Sequence, residues 1–468
     1  MEKISGLFGR RKIFAEAERI TPENVVEEVN RAFLLHGENL REEDYLYWYR
    51  RGVQPILGRK KEIRPEICSR IVVNNAEEVV TFKNGYFLTE PVSYVARKDD
   101  RESVEKVRLY NEYVFASGKA AADNTTADWF HTVGLGVEYL EPGGAGEDDP
   151  PVRVYALDPR AAFVAYSRGP GEEPVMGIHT ALKDGALSVD VFTADTVYRL
   201  AGPKEGGKGG RTLRAEKILE IAPNPLGLIP LVEYQYNAVR AGAFENAVGL
   251  MDAINLAESN RLDGIEQAVQ QLCVAYNCQF EEGTTANSIR QAGMLVLRSI
   301  GENKADFKIL DSVLDQTATQ TTLDDLYAQM LEKCGVPSAR REGGFLSENA
   351  GAVYLRSGWA AADTACRCTE DLYRESNRRF DRIFLRILGL KGLLELSPGE
   401  MKLCFLRNHM DNLLAKTEAA LNMKELGLAP EIWLERSGLS GDPASDVVRS
   451  ERFRIRKEEK AAGTGSEA

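Results

Sequence analysis

Residues 244–273 read FENAVGLMDAINLAESNRLDGIEQAVQQLC, and within them Leu250, Ile254, Ala257, Leu262, Ile265, Val269 and Leu272 recur at mostly three- or four-residue steps. That spacing places apolar side chains on one face of an α-helix. At 1.5 Å per residue the stretch spans roughly 45 Å, long for a helix of an ordinary globular domain. Gly264 inside it costs about 1 kcal/mol relative to alanine, which points to close packing against a neighbour or to a bend.

Downstream, residues 274–310 change period. VAYNCQF, GMLVLRSI and FKIL are short β-like runs around an acidic, Gly-bearing loop, and a helix is predicted from about 316 to 334. A compact β element between two helices has the form of an inserted tip. The breaker-rich loop GVPSARREGGF follows at 335–345. Leu355, Trp359, Ala362, Cys366, Leu372, Phe380, Ile383 and Ile387 then predict a helix from about 350 to 388, stopped by Gly389. MKLCFLRN reads as a strand, 411–426 and 429–438 as helices, and the charged, then small and polar tail as disordered at its end.

Upstream, Thr21 as N-cap, Pro22 at the first helical position and the Val25, Val26, Val29, Phe33 spacing predict a helix over 21–36. Further helices are predicted over 41–51, 64–83 (ending at Asn84 and Gly85) and 103–118. From Asp128 onward short β-rich runs alternate with turns, predicting a small antiparallel β region over about 130–235. PGGAGEDDPP at 142–151 and GPKEGGKGGR at 202–211 read as loop tips. The second lacks the spacing of a phosphate-binding loop.

Length suggests two to four structural units. The 43% hydrophobic and 28% charged content is that of a soluble folded chain. A formal net charge of −12 argues against a protein that grips nucleic acid, because tight binding rests on basic side chains neutralising phosphates. A conduit through which DNA slides is better served by a mostly repulsive wall with few basic contacts. The seven cysteines are scattered without framework spacing, which predicts reduced thiols, and the CxC of Cys366 and Cys368 has no nearby histidine to complete a metal site. No export signal or run of about 18 apolar residues is expected to act as a leader or membrane span.

The chemistry-bearing residues give no catalytic constellation. His36, His131, His179 and His409 stand apart, without HExxH or a GxSxG elbow. Asp148-Asp149 and Asp324-Asp325 read as solvated charge in a loop and on a helix surface. Trp359 and Phe380 read as core or interface residues.

Six local stretches then occur in a telling order. They are Asn84–Val92 (NGYFLTEPV), Leu157-Asp158-Pro159 followed by AAFVAYS, and Pro223–Tyr234 (PNPLGLIPLVEY). Next come Phe244-Glu245 through Asn255 with Ser259-Asn260-Arg261, then Gly335-Val336-Pro337 leading to Glu348–Arg356, and finally Phe405–Asn408. Together, over about residues 21–450, the chain resembles the portal proteins of long-tailed phages, the group typified by Bacillus siphophage portals.

The resemblance implies an α+β subunit with a mixed α/β wing, a long-helix stem, a small β/α clip and a helical crown. By position it implies an N-terminal arm at 1–20, wing at 21–240, stem helices at 243–273 and 313–334, and clip at 274–312. The tunnel loop falls at 336–349, a long kinked helix joining stem to wing at 350–388, crown at 395–455 and a disordered tail at 456–468. It further implies a dodecameric ring at one capsid vertex, assembled in the bacterial cytoplasm. Double-stranded DNA passes through its channel, the terminase large subunit and later a head-completion adaptor dock on it, and major capsid and scaffolding proteins surround it. No cofactor, catalysis or membrane is implied.

Within that frame Arg340 and Arg341 have two readings: a ring of guanidinium groups against DNA phosphates, or a solvated loop with intersubunit pairing to Glu342. Phe345 is either a tunnel-loop packing residue or a turn anchor. The clip docking region would include Phe280, Glu281, Glu282, Arg290 and Arg298. A non-conducting virion connector or scaffold is the alternative. A divalent-metal nuclease built from the carboxylates is a third reading.

Overall fold

A computed structural model of the chain describes residues 9–62, 64–98, 100–144, 149–183, 185–204, 213–269, 272–276, 278–279, 298–299, 306–310, 316–337, 358–405, 413–437, 439–440, 446–447 and 450–455. The fold is α+β. Two compact units form: one from Met1–Arg51, Asn75–Ala247 and Leu331–Ala468, the other from Gly52–Asn74 and Val248–Met330.

The larger unit begins with strand β1 (Ile13–Phe14) and helix α1 (Val25–Arg50). α1 is one helix where the sequence predicted two, over 21–36 and 41–51. Gly37 costs about 1 kcal/mol in a helix interior, but Phe33, His36, Asn39, Glu43 and Leu46 are all buried, and that burial carries the helix through. α1 packs its Val25, Val29, Ala32 and Phe33 on a six-stranded sheet of order β1-β5-β6-β7-β8-β9. Its strands are β5 (Ala162–Tyr166), β6 (Pro174–Lys183), β7 (Ala186–Phe192), β8 (Thr196–Lys204) and β9 (Lys217–Pro223). Every residue of β5 is buried. Its alternating side chains serve two cores, Phe163 and Ala165 one, Ala162, Val164 and Tyr166 the other.

A second antiparallel sheet runs β10-β3-β4, from β3 (Leu135–Pro142), β4 (Val152–Leu157) and β10 (Leu231–Gln235). Helices α2 (Asn75–Phe87), α3 (Arg101–Ala116) and α4 (Lys119–Val133) belong to the same unit. The predicted β region therefore starts too early, since Asp128–Val133 is helical. Ala122, Asp123, Thr126, Ala127 and Phe130–Val133 of α4 are all buried, and a helix covered on most sides loses the amphipathic period that reveals one. α4 stops at Gly134, whose φ is +91° and where a Cβ would meet the Arg240 carbonyl oxygen at 2.1 Å, so only glycine fits.

After the loop beyond Pro337 the chain resumes with α7 (Trp359–Leu390), which buries Tyr373, Phe380, Phe384 and Leu388 in the largest core. The helix passes the predicted stop at Gly389 and ends at Gly392, whose φ is +68°. Strand β15 (Met401–Cys404) pairs antiparallel with β2 (Ser93–Ala96). Helices α8 (Leu413–Glu425) and α9 (Pro430–Ser437) match the predicted pair.

In the smaller unit the predicted long helix forms as α5 (Val248–Val269). It is shorter than predicted because Leu272 and Cys273 already belong to β11 (Leu272–Tyr276), which pairs antiparallel with β14 (Asp306–Leu310). β12 (Cys278–Gln279) pairs with β13 (Arg298–Ser299). α6 (Gln316–Cys334) follows, its last turn counted with the larger unit. Arg261 of α5 donates to Gln316 Oε1 at 3.0 Å and to Gln320 Oε1 at 2.8 Å, tying the two helices together.

Candidate functional site

In the larger unit, α2 holds both ends of the loop that begins at Val336. At the incoming end, Lys83 Nζ donates to the Gly335 carbonyl at 3.1 Å. That carbonyl closes α6, where Gly335 adopts φ +60° and Val336 N–H returns to the Leu331 oxygen. An ammonium group at a helix C-terminus meets carbonyls that have no intrahelical partner. Burial lowers the Lys83 pKa, against a smaller opposing effect of Cys334 and Cys366. At the outgoing end Trp359 packs on Phe82 and Tyr86, each with ring centroids 5.9 Å apart. The two ends also meet, since a Cβ on Gly358 would lie 3.8 Å from Pro337 Cα. Cys334 and Cys366 are buried beside this base, and burial pushes the Cys334 thiol up to about 12, leaving it unreactive.

In the smaller unit, residues 69–73 are extended and lie along α5. The N–H groups of Ser69, Ile71 and Val73 donate to Asp263 Oδ1, Ser259 Oγ and Asn255 Oδ1 at 2.7, 3.0 and 2.9 Å. Alternate residues of an extended chain lie about 6.6 Å apart, and four residues of a helix rise about 6.0 Å, so the two ladders stay in step. Arg59 and Lys61 reach Asp263 Oδ2 at 3.0 and 2.5 Å. Burial opposes the Asp263 charge, but the bonds from Lys61 and Ser69 outweigh it and hold the carboxyl below its usual range. The helix predicted over 64–83 is corrected here: residues 64–74 are not helical, and α2 begins at Asn75. The acceptors that satisfy the extended segment lie almost two hundred residues away, beyond any local signal.

Beneath α7 lies a buried charge cluster. Lys119, wholly buried, approaches Asp123 at 2.6 Å and Glu138 at 3.4 Å, and its Nζ lies 4.0 Å from the Phe380 ring centroid. Burial works against its charge, but Asp123 and Glu138 overcome that and raise its pKa. Tyr373 of α7 donates its hydroxyl to Asp123. One turn on, Asp381 accepts from Tyr94 and Tyr110 at 2.8 and 2.9 Å, and burial raises its pKa to about 6. The long helix is thus keyed to α3, α4 and β2 by hydrogen bonds of fixed geometry as well as by apolar packing.

A further buried acid sits on α1. Both Glu43 carboxylate oxygens lack a hydrogen-bond partner among the described residues. Burial, only partly offset by Arg10 and Arg240 and reinforced by Asp158 and Glu233, raises its pKa from 4.5 to about 8. Between those values the folded state holds the proton more tightly than the unfolded one, so stability falls as pH rises across that window. Glu43→Gln removes this dependence. The variant should gain on the parent between pH 5 and pH 8, by on the order of a few kcal/mol, in parallel melts. Identical pH slopes would mean that Glu43 stays charged.

No group of three or more metal-ligating side chains occurs among the described residues, and none of their helices is long and apolar enough to cross a membrane. A family profile described as "Phage portal protein, SPP1 Gp6-like" matches residues 33–462. The chain belongs to the phage portal family. Membership makes it a capsid component of a bacteriophage with a part in genome packaging, and implies an oligomeric ring at a capsid vertex in contact with capsid and DNA. No curated protein matches the chain.

For the portal subunit, Arg340, Arg341 and Phe345 lie outside the described residues, as do Phe280, Glu281, Glu282 and Arg290. Arg298 lies in β13, opposite Gln279. Sequence reasoning singled out the loop but missed its supports, Lys83, Phe82 and Tyr86 on α2. It found Asn255 and Ser259 through the portal resemblance, without their role as acceptors. A signal for that role was present: Asn255, Ser259 and Asp263 recur at four-residue steps on a helix otherwise rich in apolar residues.

Proposed function

We propose that this chain is the portal subunit that forms the DNA channel of a tailed-phage head, without enzymatic turnover. The observation that carries the reading is the family match over 33–462. In support, the smaller unit joins α5 to α6 through Arg261, a paired-helix wall suited to lining a bore. The ring is a dodecamer through which double-stranded DNA is packaged and later ejected. The β element at 274–312 is the clip on which the terminase motor docks, followed after packaging by the head-completion adaptor. Residues 336–349 form the tunnel loop, set on the base made by α2, and Arg340 and Arg341 supply any phosphate contact in the bore.

Negative-stain images of the purified chain should show rings with a central hole wide enough for a duplex. A stable monomer at high protein concentration and moderate salt would overturn the reading. A connector that does not conduct DNA would give rings without such a hole. Deleting 278–306 should spare the rings and abolish binding of the motor; loss of assembly on that deletion would show that the segment is not a tip.

A further inference from the structure

α5 carries one apolar stripe that is covered at its start and bare further on. Met251 and Ile254 are 1% and 3% exposed. Leu262 and Ile265 repeat that pair eleven residues later, about three turns on and so on the same face, yet they are 46% and 45% exposed. On the opposite side lies a second apolar patch. Leu256 precedes Ile265 by nine residues, about two and a half turns, and is 45% exposed; Val53 and Val73 are 42% and 40% exposed. These three flank a single hydrogen-bonded cluster, in which Gln54 bonds Asn74 and Asn255 while Val73 N–H donates to Asn255.

The two patches differ in charge. Glu258 and Glu266 stand four residues either side of Leu262, making its face acidic. The segment bearing Val53 and Val73 carries exposed Lys60 and Arg70. A closed ring built head to tail needs two different, complementary faces on each subunit. We infer that the Leu262–Ile265 face of one subunit is covered by the Val53–Val73–Leu256 face of a second copy of this chain. This rests on the portal reading and deepens it. The stripe on α5 faces the neighbouring subunit, and the bore is lined by other surfaces.

The test uses the full chain with the photoreactive residue p-benzoylphenylalanine in place of Leu262, assembled from a mixture of unlabelled and 15N-labelled copies. Irradiated rings should yield cross-links between differently labelled chains, mapping to residues 52–74 or to the neighbourhood of Leu256. Cross-links confined to single chains, or intact rings with none, would overturn the inference while leaving the portal reading standing. A parent chain that never forms rings would overturn the portal reading first, and the inference with it. As a second measurement, Leu262→Ser with Ile265→Ser should keep the parent's circular dichroism spectrum and raise the protein concentration for half-assembly at least tenfold. An unchanged midpoint would overturn the inference.

Discussion

Lys119→Met should lower the stability of the chain by about 3–5 kcal/mol, since removing one partner of a buried ion pair leaves the others charged and uncompensated. Asp123 and Glu138 lie at 2.6 and 3.4 Å from the lost ammonium and are themselves buried. Methionine keeps most of the packing against Phe380, so the loss is electrostatic more than a cavity effect. In thermal melts the midpoint should fall by on the order of 5 °C or more. A companion Glu138→Leu should recover part of the loss, because it removes a carboxylate left without its cation. A fall in stability below about 1 kcal/mol would mean that water reaches the cluster and screens it.

Asp263→Ala should release the extended segment from α5 at a cost of about 2–4 kcal/mol, combining the lost charged hydrogen bond with two cations left unpaired. Asp263 alone receives the Ser69 N–H, Arg59 and Lys61. Hydrogen exchange reads this directly: the Ser69 and Ile71 amides should lose protection, while those in the middle of α1 keep theirs. Asp263→Asn, which keeps an acceptor for Ser69 but not the charge, should fall between the parent and the alanine variant. Because the Asp263 carboxyl is held below its usual range, its contribution is present above the unfolded value near 3.8 and is lost as pH falls through the folded value. Unchanged protection at Ser69 in the alanine variant would show that Ile71 and Val73 suffice to hold the segment.

Legibility followed whether the controlling force was local. α5, α6 and the pair α8–α9 could be read because their periodicity, breakers and length are written within a few turns. α4 could not, because burial on most sides removes the polar face that gives a helix its period. The 64–74 segment was misread as helix because Ile67 and Ile71 sit at helical spacing, and local spacing does not show that the partners of its N–H groups are side chains of α5. The break expected between residues 36 and 41 failed for the opposite reason: tertiary burial of one face overrode the glycine's cost. At the candidate site the loop was visible from its glycines and arginines. Lys83, a lysine on an ordinary-looking helix, gave no sign that it would cap another helix 252 residues on.

The sequence by itself determined that the chain is α+β, that a long helix, a β element, a returning helix, a breaker loop and a second long helix follow in that order, and that the order resembles portal subunits. Each of those rests on periodicity and turn chemistry, which act over a few residues. Only the tertiary structure decided that α2 holds both ends of the loop, that a polar ladder pins residues 69–73 to α5, and that Lys119 locks the long helix over a buried charge cluster. Those contacts join residues far apart in the chain, and their energies come from burial and from partners that exist only once the chain has folded.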